Sequence, residues 1–348
     1  MITNKNYLEK KIITPKKIKS KYKLNLKNKL KIINNKNTIS DIINKKNNKF
    51  LIICGPCSIS DYKSSIEYGK KLYNLYKKVK NYIYIVMRTY LEKPRTSIGW
   101  KGIINDPYIN NTNKIEDGII ISRKILVDLI KINIPIGTEL LNPIYFKYFD
   151  DLFSWISIGA RTSESQIHRE IVSSLDIPTG FKNSLDGTIN SSINSIKSSS
   201  TKHTFISIKD DGKICLLDSN GNNNTHIILR GGKNGPNYYS DKINSYIDIL
   251  KKENLNKSII IDCSHDNSYK NYKLQKKVSD NIIEQKINGN EYISGIMLES
   301  NLFEGNQYCN SLNNLKFGIS ITDSCIGWDE TEYIINNIYK KLKKINKK

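Results

Sequence analysis

Arginine is scarce in this chain. Of 55 basic residues only six are Arg: Arg88, Arg95, Arg123, Arg161, Arg169 and Arg230. Lys, Asn and Ile dominate instead, the skew that an AT-biased genome would encode. Against that background an Arg marks a position needing the planar five-donor fork that Lys lacks. Long apolar runs are also missing: none approaches the ~18–20 residues that cross a bilayer, which excludes a membrane-spanning chain. The Lys-rich start holds no apolar core and no Arg before Arg88, so neither a secretory signal nor a transit peptide fits. Six scattered Cys in 348 residues, with no signal, argue against a disulfide framework and for reduced thiols in the cytoplasm.

What is abundant is positive charge, a net +22. That invites a nucleic-acid partner, but its distribution speaks against one. Residues 1–49 hold 15 Lys against Glu9 and Asp41, and residues 340–348 add six Lys and no acid. Only +3 remains for residues 50–339, and no nucleic-acid motif is present. The 21 Tyr, 8 Phe and 3 Trp recur within apolar runs, as a folded chain requires.

The texture changes at Phe50. Residues 1–49 read as a basic extension with weak helical periodicity over about Lys27–Lys46 and a breaker at Pro15. Residues 50–348 alternate short apolar runs with amphipathic stretches. The runs are Phe50–Cys54, Ile83–Met87, Ile134–Thr138, Trp155–Gly159, Ile177–Phe181, Thr225–Leu229, Ser258–Ile261 and Tyr292–Leu298. Helical patterns such as Asp61–Val79, Glu116–Lys131, Glu164–Ser174 and Asp241–Glu253 lie between them. Alternating strands and helices imply βαβ units and a parallel sheet. Eight repeats predict an α/β fold, a (β/α)8 TIM barrel with an N-terminal extension. Thr204–Lys209 and Ile214–Asp218, joined by Asp210-Asp211-Gly212-Lys213, predict a β-hairpin inserted at about 203–218, before the sixth barrel strand. A C-terminal helix is capped near Asp329.

In such a barrel the chemistry gathers at the C-terminal strand ends. Those ends carry, in order, Cys57, Arg88 with Lys93, Glu139, Arg161, Lys182, Arg230, His265 and Glu299. The cations Arg88, Lys93, Arg95, Arg161, Lys182 and Arg230 suit phosphorylated or carboxylated substrates. Surface ion pairing is the plainer explanation for each one, but no comparable run of carboxylates stands ready to neutralise the set. Thr162-Ser163-Glu164 would add free backbone N–H groups at a helix start. Cys57, His265, Glu299 and Asp323 offer a thiolate, an imidazole and two carboxylates, a mixed set suited to Mn, Fe, Co or Zn rather than Ca or Mg. A buried Cys57 and a satisfied core His265 are the plainer alternatives, and spacing alone does not decide. Cys54-Gly55-Pro56-Cys57 matches a redox dithiol pattern, but Cys54 falls inside a strand with its side chain buried, which speaks against dithiol catalysis.

At these residues the chain resembles the type I 3-deoxy-D-arabino-heptulosonate 7-phosphate (DAHP) synthases. The blocks include Gly55-Pro56-Cys57-Ser58, Met87-Arg88, Lys93-Pro94-Arg95-Thr96, Gly159-Ala160-Arg161-Thr162, Gly180-Phe181-Lys182-Asn183, Leu229-Arg230-Gly231-Gly232, Ser264-His265, Glu299-Ser300 and Ile321-Thr322-Asp323. They run collinearly from about Phe50 to the C-terminal helix. The resemblance implies the first step of the shikimate pathway: phosphoenolpyruvate, D-erythrose 4-phosphate and water give DAHP and phosphate. It implies Cys57, His265, Glu299 and Asp323 as ligands of one divalent metal ion per subunit. Arg88, Lys93, Arg161, Lys182 and Arg230 resemble the phosphoenolpyruvate site, and Arg95 and Thr96 the erythrose 4-phosphate site. Lys93 is the candidate proton donor. The expected partners are these small molecules and further copies of the chain, as a dimer or tetramer, with no nucleic acid and no membrane. The related octulosonate phosphate synthases run the same condensation on a five-carbon aldose phosphate, but Lys93–Thr96 and the extension favour the four-carbon substrate.

The departures are instructive. Ser60 stands where His is usual, and Asp266 and Asn301 replace a common Ala and His beside two expected metal ligands. The hairpin Thr204–Asp218 and the segment Asn142–Lys147 look unlike those of aromatic-amino-acid-regulated members, so weak or absent feedback inhibition is expected.

Overall fold

The computed structural model describes residues 8–95, 99–309 and 311–345. Thr96, expected at the erythrose 4-phosphate site, lies outside them. Two helices, α1 (Pro15–Lys21) and α2 (Leu26–Ile43), precede β1 (Phe50–Gly55). Then follow α3 (Tyr62–Val79), β2 (Ile83–Arg88), α4 (Ile115–Ile132), β3 (Ile136–Glu139), the short α5 (Pro143–Phe146), β4 (Trp155–Ile158), α6 (Gln166–Ser173), β5 (Thr179–Lys182) and α7 (Asn190–Ser199). β6 (His203–Ile208) and β7 (Ile214–Ser219) form an antiparallel ribbon of their own. The chain ends with β8 (Thr225–Leu229), α8 (Ser240–Lys252), β9 (Ile259–Asp262), α9 (Gln275–Ile287), β10 (Ile293–Glu299) and α10 (Trp328–Ile345).

Eight parallel strands close a barrel in the order β1-β2-β3-β4-β5-β8-β9-β10, with β10 back against β1. Strand alternation sorts their side chains. Phe50, Ile52 and Cys54 of β1 pack outward into the large core shared with the helices. Leu51 and Ile53 pack inward with Tyr84, Val86, Trp155, Ile228, Ile260 and Met297. Ile39, Ile42 and Ile43 of α2 belong to that inner cluster. α2 therefore seals the barrel at its N-terminal end, where Ser40 donates to Asn224 just before β8 and Lys45 Nζ donates to Glu291 O just before β10.

Pro15 does not break a helix but starts one. It occupies the first turn of α1, where its missing N–H costs nothing, and Thr14 Oγ1 accepts from Lys17 N. Lys19 of α1 then reaches Asp150 at 2.6 Å and Asp210, in the turn of the β6–β7 ribbon, at 2.9 Å. Extension and ribbon are thus tied together on the flank of the barrel.

Candidate active site

The same alternation builds the site. Two residues beyond the inward Val86, Ile228, Ile260 and Met297 come Arg88, Arg230, Asp262 and Glu299, so strand pleating carries the inner face from apolar to charged. A cavity of about 860 Å³ opens there, lined by Arg88, Lys93, Arg95, Arg161, Lys182, Arg230, His265, Glu299 and Asp323, among others. At Gly55, closing β1, a Cβ would stand 2.8 Å from Arg88 O, and its absence lets the turn carrying Cys57 approach β2.

Cys57, Glu299 and Asp323 bring ligand atoms within 4.8 Å of one another. His265 stands beside this trio: its Nε2 is 3.9 Å from Glu299 Oε1, and its Nδ1 is 2.9 Å from Asp262 Oδ2. Asp262 is fully buried; burial alone would raise its carboxyl, but His265, Lys182 and Arg88 hold it well below the usual range. Lys93 Nζ donates to Cys57 Sγ at 2.7 Å and to Asp323 Oδ2 at 2.8 Å. Burial and the Glu299 charge push the Cys57 thiol up to about 11 despite Lys93. Burial would lower the Lys93 ammonium, but Cys57, Glu299 and Asp323 together raise it. For Asp323 the desolvation that would raise the carboxyl is outweighed by Lys93, leaving it at about 2.

The cations are not without counter-charges, contrary to the expectation from sequence. Arg88 Nη2 lies 3.1 Å from Glu299 Oε1, Lys182 Nζ 3.4 Å from Asp262 Oδ2 and 3.8 Å from Glu139 Oε2, and Arg230 Nη1 2.7 Å from Asp266 Oδ2. These partners come from three strand ends and the turn after β9, so no run of acids in the sequence announced them. Arg88 is 1% exposed and its Nη1 finds no hydrogen-bond partner. An unmatched buried donor costs about 1–3 kcal/mol, so that atom is suited to receive an anion. The N–H groups of Thr162 and Ser163 are not free to bind an anion, since both donate to Gly159 O.

Tyr90 was missed at the level of sequence. Its ring lies 3.9 Å beneath the Arg88 guanidinium, and its hydroxyl pairs with Ser157 Oγ at 2.8 Å. The available signal was its position two residues beyond Arg88, on the same face. The Arg scarcity proves informative in both directions. Arg88, Arg95, Arg161 and Arg230 line the cavity, whereas Arg123 clamps both oxygens of Asp151 at 2.7 and 2.8 Å, using the guanidinium fork for a structural purpose. A second cavity, of about 930 Å³, lies between the β6–β7 ribbon, α5 and α6, and includes Asn142–Lys147. Cys54 packs outward in the main core, away from the Cys57 cluster.

A closed (β/α)8 barrel whose C-terminal mouth sets a thiol and two carboxylates among fixed cations defines a metal-competent enzyme for anionic substrates. The chain belongs to the DAHP synthetase I family, which it matches over residues 21–336. It is 41% identical over 335 residues to the Tyr-sensitive phospho-2-dehydro-3-deoxyheptonate aldolase of Escherichia coli, covering 96% of this chain and 94% of that one. To the Phe-sensitive enzyme of the same organism it is 42% identical over 305 residues, 88% and 87% of the two chains. The solved phospho-2-dehydro-3-deoxyheptonate aldolase of Francisella tularensis superposes with a TM-score of 0.94 at 38% identity, covering 97% of this chain and 98% of that one. With the family goes the activity, 3-deoxy-7-phosphoheptulonate synthase, an aldol-type transferase of the shikimate route to aromatic amino acids. The family is metal-dependent, and the Cys57, Glu299 and Asp323 group could hold a metal ion. Among the described residues no helix is long and apolar enough to cross a membrane.

Proposed function

We propose that the 860 Å³ bowl binds phosphoenolpyruvate and D-erythrose 4-phosphate together, beside one divalent metal ion, and joins them with addition of a water and release of phosphate. The observation that carries this reading is the meeting of Cys57, Glu299 and Asp323 within 4.8 Å beside a cation-lined cavity that Glu299 and Asp323 themselves line. The donor set fits a borderline ion such as Mn, Fe, Co or Zn, since it mixes sulfur with carboxylate oxygen and has His265 Nε2 adjacent. His265 Nδ1 pairs with Ser264 Oγ at 2.8 Å and lies 2.9 Å from Asp262 Oδ2, which leaves Nε2, 3.9 Å from Glu299 Oε1, as the ring nitrogen available to a ligand role. When bound, such an ion supplies Lewis acidity toward the aldehyde oxygen.

The chain's own residues do the rest. Arg88, Arg161, Lys182 and Arg230 hold the carboxylate and phosphate of phosphoenolpyruvate, with Arg88 Nη1 as the donor most in need of a partner. Arg95, with Thr96, holds the phosphate of the aldose. Arg88 is fixed by Tyr90 and Glu299, so its charge needs no rearrangement as the enol carbon attacks. Lys93 enters as an ammonium, kept protonated by the carboxylates of Glu299 and Asp323 beside it. An alkoxide is more basic than an amine, so Lys93 can still pass its proton to the oxygen that becomes the new hydroxyl. We further read the enzyme as a cytoplasmic homo-oligomer with weak or absent inhibition by aromatic amino acids.

The test is phosphate release from phosphoenolpyruvate, with the four-carbon or a five-carbon aldose phosphate, before and after EDTA. Release with erythrose 4-phosphate alone, abolished by EDTA and restored by Mn, Fe, Co or Zn, is expected. Release with the five-carbon sugar alone, or release indifferent to EDTA, would refute the reading.

A further inference from the structure

Four cations of the bowl lie against carboxylates, and for three of them those carboxylates have another use. Glu299 and Asp323, against Arg88 and Lys93, belong to the metal-competent group. Asp262, against Lys182, also faces Nδ1 of His265. Asp266 has neither role. Its Oδ2 accepts from Arg230 Nη1 at 2.7 Å, and both residues line the cavity. On its other side Asp266 Oδ1 lies 3.9 Å from Lys270 Nζ, whose side chain is 77% exposed.

Backbone geometry builds this contact. Gly231, directly after Arg230, has φ +75°, and a Cβ there would stand 2.6 Å from Asn267 N and 2.7 Å from Asp266 C. The turn after β9 therefore lies flat on the end of β8. Asn267 N donates to Arg230 O at 3.3 Å, and Asn267 Nδ2 donates to Leu229 O at 3.0 Å. Arg230 N in turn donates to Asn183 Oδ1 at 2.7 Å. His265, Tyr269 and Lys270 adopt left-handed backbone in the same turn, conformations that persist only where surrounding contacts fix them. Asp266 is held against the guanidinium by the fold.

We propose that Asp266 is an internal competitor for Arg230, a built-in anion that the substrate phosphate must displace before pairing with the guanidinium. This rests on the reading that Arg230 belongs to the phosphoenolpyruvate site. A phosphate dianion beside an undisplaced carboxylate is repelled in a partly desolvated bowl. The displaced carboxylate has a second cation within reach in Lys270, toward solvent. Asp266 thus lowers affinity for phosphoenolpyruvate and raises the site's preference for a dianionic group, which displaces one carboxylate, over a monoanionic one, which does not.

The experiment compares Asp266→Ala, Asp266→Asn and Arg230→Ala with the native enzyme, reading KM for phosphoenolpyruvate, kcat, and the inhibition constant of inorganic phosphate. Both Asp266 variants should lower KM and the phosphate inhibition constant, by about twofold to fivefold for Asp266→Ala, the size of a part-exposed ion pair. kcat should move far less, and Arg230→Ala should raise KM. Unchanged or raised KM in both Asp266 variants, with Arg230→Ala still raising it, overturns the competition and leaves the binding reading intact. Unchanged KM in Arg230→Ala removes the binding reading, and the competition falls with it.

Discussion

The two ends of this barrel are made from the same eight strands and do opposite things. At the N-terminal end the inward residues are Leu51, Tyr84, Trp155 and their neighbours, closed over by Ile39, Ile42 and Ile43 of α2. At the C-terminal end the inward positions become Arg88, Lys182, Arg230, Asp262 and Glu299, crowded at ion-pair distance around an open cavity. Burying such charges is costly, and a paired charge lost on one side leaves the other uncompensated. The N-terminal end supplies apolar burial that offsets this cost. Chemistry and stability are thus separated along the strand axis, two residues apart on β2, β8, β9 and β10.

That separation is broken most forcefully by Lys93→Met. The methionine approximates the Lys93 stem and removes the ammonium that touches Cys57 Sγ and Asp323 Oδ2. kcat should fall by about 10²–10⁴-fold, the usual reach of a positioned proton donor. Metal content, measured after gel filtration, should stay near one ion per subunit, because Cys57, Glu299 and Asp323 remain. Near-normal kcat would remove Lys93 from the chemistry, and lost metal would assign it to holding the ligands instead.

The separation is sharpened from the other end by Ile42→Ala. Ile42 is 1% exposed and packs against the inner faces of the strands, so truncation leaves a cavity at the seal. Unfolding free energy should drop by about 2–5 kcal/mol, with KM for phosphoenolpyruvate unchanged. A urea titration and a kinetic assay on the same preparation check both halves. A shifted KM would mean that the two ends are mechanically coupled.

Most of this architecture was legible because each barrel strand is buried on both faces and reads as a short apolar run. Boundaries were good where a cap is written in the chain, as with Asp61 accepting from Ser64 N at the start of α3. Pro15 misled because the same residue that stops a helix inside also starts one at its first turn. α7 left a faint trace: its Ser- and Asn-rich sequence has poor intrinsic helicity, and Ile193 and Ile196 anchor it to the core. In the site, single side chains at strand ends could be picked out one by one. Their pairing could not, since Arg88 with Glu299 and Arg230 with Asp266 are joined only by barrel closure and a turn clamped on Gly231.

The smallest expected effect concerns a polar side chain buried inside the N-terminal end. His226 is fully buried, with Nε2 3.3 Å from Trp155 Nε1. The indole can only donate, so Nε2 accepts, and the proton sits on Nδ1, which has no hydrogen-bond partner. Burial, with the nearby Lys45 charge, pushes the imidazole down to about 3. In the unfolded chain it titrates near 6.5, and each pH unit between the two values is worth about 1.4 kcal/mol. Between these values the unfolded chain binds a proton that the folded chain refuses, so stability should fall as pH drops below about 6.5 and the loss should level off near 3. His226→Gln keeps an acceptor for Trp155 and removes the titration. Urea midpoints from pH 7 to pH 5 should therefore decline more steeply for the native chain than for the variant, with KM at pH 7 the same in both. Parallel declines would show that acid loosens the barrel through the charged mouth alone, and that the N-terminal seal is as indifferent to protons as its apolar neighbours.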